Sequence, residues 1–505
     1  MSSRTERFGI LAAIALGIVV RLVPIISAQS VVGDGGFILA MVDDIRDSGL
    51  GLPAESSYNL LGAPFVYPPA ALFVAAAIGE ISGASSLDIL RWMPLAISVG
   101  CLVAFAWLAR RALPPVAAIG ATLSYALMPS AYGWLLAGGG LTRGAGLLFA
   151  ILAAGVVARR NDEPRVTTAV AAGVLLGLSA LSHPQAAIFG VVACVVLSWR
   201  APLRPWLAQL AIAAGAAVIV VAPWLVWVTA THGLEAVLAA GNRFEPAIGI
   251  IRMLNLRFSA APFMDVVGVV GVVGLVACIW RRDARLPILL LATYLVGAGG
   301  GEFLAAVPWA LLAGVGVATL VEVGATALAG ASPATARAIG LGLAGAALFL
   351  GLIGSVGSVV DRSSKLHPLT DDQVAAMRWL STNTPEDATV LVPTDEVWGY
   401  DEISEWLPAF AHRHSIGTVQ GSEWLGADGF DAQLANHERI LGCANDVASC
   451  YAAIDSDAVI FVAKGRLSGP FSPDDCCPAL RETLVEAGYE IVYDGPGATI
   501  ARSGD

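Results

Sequence analysis

At 505 residues, 56% of them hydrophobic and 14% charged, the chain is not a soluble globule, because soluble domains average about 25% charged residues. A mean hydropathy of +0.72 points the same way. The net charge of −11 repels nucleic acid and other anionic surfaces, which excludes a nucleic-acid-binding role.

In chain order, apolar runs recur from residue 8 to residue 359, most of them of the ~17–25 residues needed to cross a ~30 Å hydrocarbon core and several shorter. The first, 8–28, is too long and lacks the small-residue cleavage site of a removed signal peptide, so it reads as a retained anchor. The candidate spans are 8–28, 91–109, 113–133, 143–158, 166–184, 186–199, 206–230, 261–280, 286–300, 303–321 and 337–359. Basic residues prefer the cytoplasmic side. With Arg4 and Arg7 inside, the same side receives Arg110, Arg111, Arg159, Arg160, Arg165, Arg200, Arg204, Arg281, Arg282, Arg285 and Arg337. That agreement supports about eleven transmembrane helices in a unit covering 1–360, in the plasma membrane, with the C-terminus outside the cytoplasm. The segment from Tyr67 to Ile81 is apolar but short for a crossing. It reads as a juxtamembrane helix, because counting it as a span would reverse Arg110 and Arg111.

Two outer loops are long, 29–90 and 231–260, and long loops in compact folds tend to be functional. The first opens with Val31-Val32-Gly33-Asp34-Gly35-Gly36-Phe37. Asp34 falls at the water boundary, among glycines that let backbone approach a ligand closely. It either does chemistry there or caps the next helix. The second loop carries Arg243, Arg252 and Arg257 against the positive-inside trend. These suggest a phosphate partner, or side chains that snorkel to the interface.

After residue 360 the chain turns polar and acidic, and 361–505 is long enough, at about 145 residues, for a core of its own. Helical patterning from Asp371 through Leu380 is followed by β-rich runs at 388–392 and 458–462. A helix at 480–487 and a strand at 489–493 complete a small extracytoplasmic α/β domain. Cys443, Cys450, Cys476 and Cys477 are disulfide candidates, since an outside location permits oxidation. Their connectivity stays open, and zinc is the lesser alternative. Cys101, Cys194 and Cys278 lie in spans and read as small apolar residues.

The polar residues expected at the outer boundary are Asp34, Asp43, Asp44, Tyr67, Arg143, His183, Arg243, Arg257 and Glu302. Ionisable groups at membrane depth are costly unless paired or wetted, so they are candidate site residues. Arg143 ends Gly138-Gly139-Gly140-Leu141-Thr142-Arg143. Backbone N–H groups at a helix start, together with a guanidinium, make a phosphate cradle. The alternative is an Arg reaching lipid headgroups. His183, before Pro184, is either a boundary residue or a substrate contact. No HExxH, GxSxG or Walker motif occurs.

Gly33-Asp34-Gly35-Gly36 followed downstream by Tyr67-Pro68-Pro69, with many further spans, resembles the GT-C superfamily of membrane glycosyltransferases. The likeness is to the protein O-mannosyltransferase and aminoarabinose transferase type. It covers roughly 8–359 by pattern, with Arg91 matching a frequent family Arg and 231–260 the family's mobile loop. The acidic pair of protein mannosyltransferases is missing, because Gly35 follows Asp34. In the tail, Ser404-Glu405-Trp406-Leu407-Pro408 and Gln420-Gly421-Ser422-Glu423-Trp424 are similar to the tails of uncharacterised relatives. The resemblance implies inverting transfer of a sugar from a polyprenyl-phosphate donor to a lipid, glycan or protein acceptor outside the cytoplasm. Asp34 would be general base, and Arg143, with Arg243 or Arg257, would stabilise the leaving phosphate. Asp43 or Asp44 could bind an assisting divalent metal, the alternative being that they form a solvated helix face. The rival readings are a non-catalytic receptor or scaffold and a lipid or sugar transporter.

Overall fold

The computed structural model describes residues 2–158, 165–199, 202–239, 266–297, 301–327, 349–354, 369–441, 458–465 and 478–503, with isolated positions between them. Arg243, Arg257, Cys443, Cys450, Cys476 and Cys477 lie outside the described residues, as does the side chain of Glu302.

Helix α1 (Ser3–Ser27) starts where Ser2 accepts the Thr5 N–H, a standard N-cap. Then come α2 (Gly36–Asp47), the two-residue strands β1 (Glu55–Ser56) and β2 (Ala63–Pro64), and α3 (Ala70–Ser82). The long apolar helices follow: α4 (Ser86–Ala112), α5 (Pro115–Leu127), the single turn α6 (Gly133–Leu136), α7 (Gly140–Val157), α8 (Val166–Ala180) and α9 (Pro184–Ser198). After them come α10 (Leu203–Ala239), α11 (Val266–Trp280), α12 (Arg285–Gly297) and α13 (Glu302–Ala327). Every candidate span from 8–28 to 303–321 overlaps one of these helices, and 337–359 falls mostly outside the described residues.

By length and composition, five helices among the described residues can cross a membrane: α1, α4, α7, α10 and α13. The others are shorter. Helix α5 has 13 residues, about 20 Å at 1.5 Å per residue, and stops ahead of Pro129, which disfavours helix at the residue before it. The polypeptide continues in the same region through Pro129–Ala131 and α6. Helix α10 runs past the expected 206–230 and breaks at Gly233, which has a φ of 79°. The segment read as juxtamembrane is indeed short, the 13-residue α3.

Small residues let these helices touch backbone to backbone, the usual packing where lipid removes the hydrophobic drive between helices. A Cβ on Gly274 of α11 would sit 1.8 Å from the Leu312 carbonyl oxygen of α13. One on Gly314 would sit 2.3 Å from the Ala117 oxygen of α5. Arg21 is fully buried between α1, α4 and α5. It donates to Ser98 Oγ at 3.1 Å and to the carbonyls of Gly17 and Ala126 at 3.1 and 3.0 Å, and its guanidinium lies over the Tyr132 ring. At the opposite end of α1 from Asp34, Glu6 pairs with Arg110 at 3.1 Å.

The tail contains α14 (Asp371–Asn383), β3 (Thr389–Leu391), α15 (Glu402–Ala411), β4 (His414–Ser415), α16 (Gly426–Ile440), β5 (Val459–Ala463), α17 (Pro478–Glu486), β6 (Tyr489–Asp494) and β7 (Ala498–Ser503). The sheet order is β4-β3-β5-β7-β6, parallel across β4-β3-β5 and antiparallel across β5-β7-β6. Three of these strands match the apolar runs in the sequence. The two-residue β4 and the strand β7 carry no comparable run. The tail's core is continuous with the first loop: Phe37, Met41 and Leu72 belong to the same buried cluster as Trp406, Leu407 and Phe461.

Candidate functional site

The link between α1 and α2 turns at Gly33, which has a φ of 67° and so favours glycine. Asp34 does not cap α2. That position belongs to Gly35, which has no side chain to cap with. The Asp34 carboxylate instead meets Arg143 on the first turn of α7, whose Nη2 donates to Oδ1 at 3.2 Å and to Oδ2 at 3.3 Å. Both side chains are about four-fifths buried, at 19% and 22% exposure for Arg143 and Asp34. The guanidinium also lies over the Trp134 ring, 4.8 Å from its centroid, a cation–π contact that fixes its plane. Its Nε is buried without a hydrogen-bond partner among the described residues.

The glycine turn that the sequence suggests as a backbone phosphate cradle is used differently. Its N–H groups are taken by carbonyls: Gly138 donates to Val32 and Gly139 to Asp34, both at 3.0 Å, and Gly140 to Ala137 at 2.7 Å. What the glycines provide is close approach. A Cβ on Gly138 would be 2.7 Å from the Asp34 backbone oxygen, and one on Gly139 would be 2.9 Å from Arg143 Nη2. The turn therefore brings α7, and Arg143 with it, onto the Asp34 loop.

A cavity of about 210 Å³ opens here, lined by Asp34, Tyr67, Gly139, Arg143, Glu405, Gln420, Glu423 and Trp424 among others. Four of the lining residues, Glu405, Gln420, Glu423 and Trp424, come from the tail. Glu405 Oε1 accepts the Gly35 N–H at 3.0 Å, and Trp406 Nε1 donates to the Gly33 carbonyl at 3.0 Å. Tyr67 donates to or accepts from Thr142 Oγ1 at 2.9 Å and meets Trp424 edge to face, with ring centroids 5.7 Å apart. Burial pushes the Tyr67 phenol above its ordinary range, and does so more strongly for Tyr58, which donates to the Glu405 carbonyl at 2.6 Å. Both phenols stay protonated; Tyr67 lines the cavity, and Tyr58 braces Glu405 behind it.

The remaining candidates lie elsewhere. His183 is the N-cap of α9, where its Nδ1 accepts the Ala186 N–H at 3.4 Å, and its ring packs on Phe303. Asp43 accepts from Ser86 Oγ. Asp44 accepts from Ser56 Oγ at 2.9 Å and the Ser57 N–H at 3.1 Å, which anchors the β1–β2 turn to α2. Burial raises both carboxyls above their ordinary value. Neither comes to Asp34. Among the described residues no three His, Cys, Asp or Glu side chains gather to hold a metal, and Asp34 faces the Arg143 guanidinium. Arg91 clasps the end of α1, donating to the carbonyls of Ile25, Ala28 and Gln29 at 2.9, 2.8 and 3.0 Å.

Sequence reasoning did not bring Glu405, Trp406, Gln420, Glu423 and Trp424 to the site. A signal existed: Ser-Glu-Trp occurs twice in the tail, at 404–406 and 422–424, and both copies reach the Asp34 loop or its cavity.

The same overall fold occurs in solved glycosyltransferases. By sequence, no protein family and no curated protein matches the chain. Solved structures do match it by shape. The apo Archaeoglobus fulgidus oligosaccharyltransferase superposes with a TM-score of 0.59 at 15% identity, covering 92% of this chain and 70% of that one. The same organism's oligosaccharyltransferase AglB, with an inhibitory peptide and a dolichol-phosphate, gives 0.55 at 14% identity, covering 91% and 69%. ArnT from Cupriavidus metallidurans bound to undecaprenyl phosphate gives 0.56 at 14% identity, covering 97% of both chains. At these identities the likeness establishes the fold that the short motifs suggested.

Proposed function

We propose that the chain is a membrane glycosyltransferase that moves a sugar from a polyprenyl-phosphate donor to an acceptor outside the cytoplasm. The observation that carries this reading is the Asp34–Arg143 pair, 3.2 Å apart, in a cavity where the ends of the helices meet the tail. Related folds have been solved with dolichol-phosphate and undecaprenyl phosphate, which supports a lipid-phosphate donor here. The cavity, about 210 Å³, is below the ~300 Å³ of ordinary small-molecule sites. It suits the reacting headgroup rather than the whole lipid.

The acceptor hydroxyl gives its proton to an Asp34 carboxylate oxygen while its own oxygen attacks the anomeric carbon from the face opposite the phosphate. The carbon–oxygen bond to phosphate breaks, the electron pair leaves with the lipid phosphate, and the anomeric centre inverts. Arg143 bridges the two ends of this reaction. Nη2 holds the base, and the guanidinium's positive charge stabilises the leaving phosphate as its charge develops. Arg243 and Arg257 remain candidates to close over the donor.

Incubation with labelled polyprenyl-phosphate sugars, scored for both binding and transfer, tests the reading. Arg143-dependent binding and Asp34-dependent transfer are expected. Binding without transfer to any membrane, glycan or protein acceptor would instead favour a transporter or scaffold. No binding would sink the donor site.

A further inference from the structure

We infer that Glu405 and Trp406 of the tail are positioning residues for Asp34, so that the tail completes the site instead of decorating it. This rests on the transferase reading above. The loop that carries Asp34 is glycine on both sides, Gly33-Asp34-Gly35-Gly36. Such a segment has almost no side-chain packing to hold it, and glycine has the largest conformational freedom to lose. Its order must come from its peptide groups.

Those groups are held from two sides. On the membrane side, Gly139 donates to the Asp34 carbonyl at 3.0 Å and Gly138 to the Val32 carbonyl at 3.0 Å. On the tail side, the carbonyl before Asp34 accepts from Trp406 Nε1 and the N–H after it donates to Glu405 Oε1, each at 3.0 Å. The two peptides flanking the carboxylate are thus fixed by adjacent residues of a single helix turn. The approach leaves no slack: a Cβ on Gly36 would lie 2.5 Å from the Glu405 carbonyl oxygen.

The clamp is itself braced. Tyr58 donates to the Glu405 carbonyl at 2.6 Å. Asp401 caps α15 through the Ser404 N–H at 3.0 Å and Oγ at 2.6 Å. Trp406 is 1% exposed and stacks on Phe410 with centroids 5.3 Å apart. Asn59 pins strand β4 to the first loop, donating to the Ser415 carbonyl at 3.1 Å and accepting its N–H at 2.6 Å. A rigid support of this kind is what a reacting carboxylate requires, because a misplacement of about 1 Å can lower a rate by ~10²-fold.

The test uses the full chain with Glu405→Ala, Glu405→Gln and Trp406→Phe, the last keeping an aromatic ring while deleting the indole donor. Hydrogen exchange over residues 32–37 reads the clamp directly, without reference to activity. Turnover at saturating donor and donor Kd read its consequence. Glu405→Ala and Trp406→Phe should raise exchange in that segment and lower turnover by ~10–100-fold, leaving donor Kd within a few-fold. Glu405→Gln keeps an acceptor oxygen for the Gly35 N–H and should restore both readouts. Unchanged exchange in Glu405→Ala and Trp406→Phe overturns the inference. So does a Glu405→Gln variant as slow as Glu405→Ala, which would make the carboxylate's charge the active feature. Asp34→Asn is the control that separates the two ideas: a fully active Asp34→Asn sinks the transferase base, whereas normal exchange beside an inactive Asp34→Asn sinks the clamp alone.

Discussion

Arg143 touches Asp34 through a single nitrogen, Nη2, which it also turns toward the Trp134 carbonyl at 3.4 Å. A guanidinium can engage two anions on different edges, and an ammonium cannot do so with fixed geometry. Arg143→Lys should therefore keep part of the donor affinity, and Arg143→Ala should lose more, roughly 2–4 kcal/mol if the phosphate is well desolvated. Titration with labelled polyprenyl phosphate measures both; an Arg143→Ala chain that binds like wild type would remove the phosphate role. Asp34→Asn keeps size and hydrogen-bonding capacity but not basicity. Turnover should drop by ~10²–10⁴-fold with donor binding intact. Activity within a few-fold of wild type would move the base elsewhere, with Glu405 and Glu423 the other carboxylates that line the cavity. The two residues were legible in the sequence because a carboxylate and a cation at the ends of apolar runs have few bland explanations. Their pairing was not, because Asp34 and Arg143 are 109 residues apart and no local period relates them.

Among the elements, the short glycine turn before α7 matters more than its length suggests. Gly138→Ala would set a Cβ 2.7 Å from the Asp34 carbonyl oxygen and 2.9 Å from Gly35 Cα, and both are backbone atoms that cannot rotate aside. Overpacking of this sort typically costs about 1–3 kcal/mol, and here it also displaces the loop. Gly215→Ala in α10, with nothing within 4 Å of its Cβ, is the matched control. Turnover and thermal stability in detergent should drop for the first and hold for the second; equal behaviour would mean that the turn is loose. His183 shows the other side of sequence reading. Its place at a span end drew attention, and the structure gives it a capping bond to Ala186. His183→Ala should lower stability by about 1 kcal/mol, as cap removals do, and His183→Asn should recover it. A turnover defect in His183→Asn without loss of stability would restore a substrate contact. The apolar runs foretold where helices fall, because backbone in an apolar run must satisfy its hydrogen bonds within the segment, although only five of the helices among the described residues are long enough to cross a membrane. They could not foretell β4, which at two residues lies below any periodic signal.

At the scale of the molecule, charge patterning and packing make separable statements about sidedness. Packing fixes which parts share a face. The Gly33 carbonyl is bonded to Trp406, so the first loop and the tail must emerge together. Glu6 with Arg110 and Arg281 with Glu322 tie other helix ends together. Charge is the argument for which face is which, since those ends carry basic residues, which prefer the cytoplasm. Single cysteines at Glu55 and Asp387, both exposed, should react with a membrane-impermeant thiol reagent on intact cells. Those at Ser2 and Arg282, also exposed, should react only after permeabilisation. Identifying the labelled peptides by mass keeps native cysteines from confusing the result. If Glu55 and Asp387 label differently from one another, the docked tail is wrong and the Glu405–Trp406 clamp fails with it. If they label together but from the cytoplasm, the clamp stands and the donor must be presented on the inner leaflet. External labelling of both, with Ser2 and Arg282 protected, puts the Asp34 cavity where a lipid-borne sugar phosphate and an extracytoplasmic acceptor can meet.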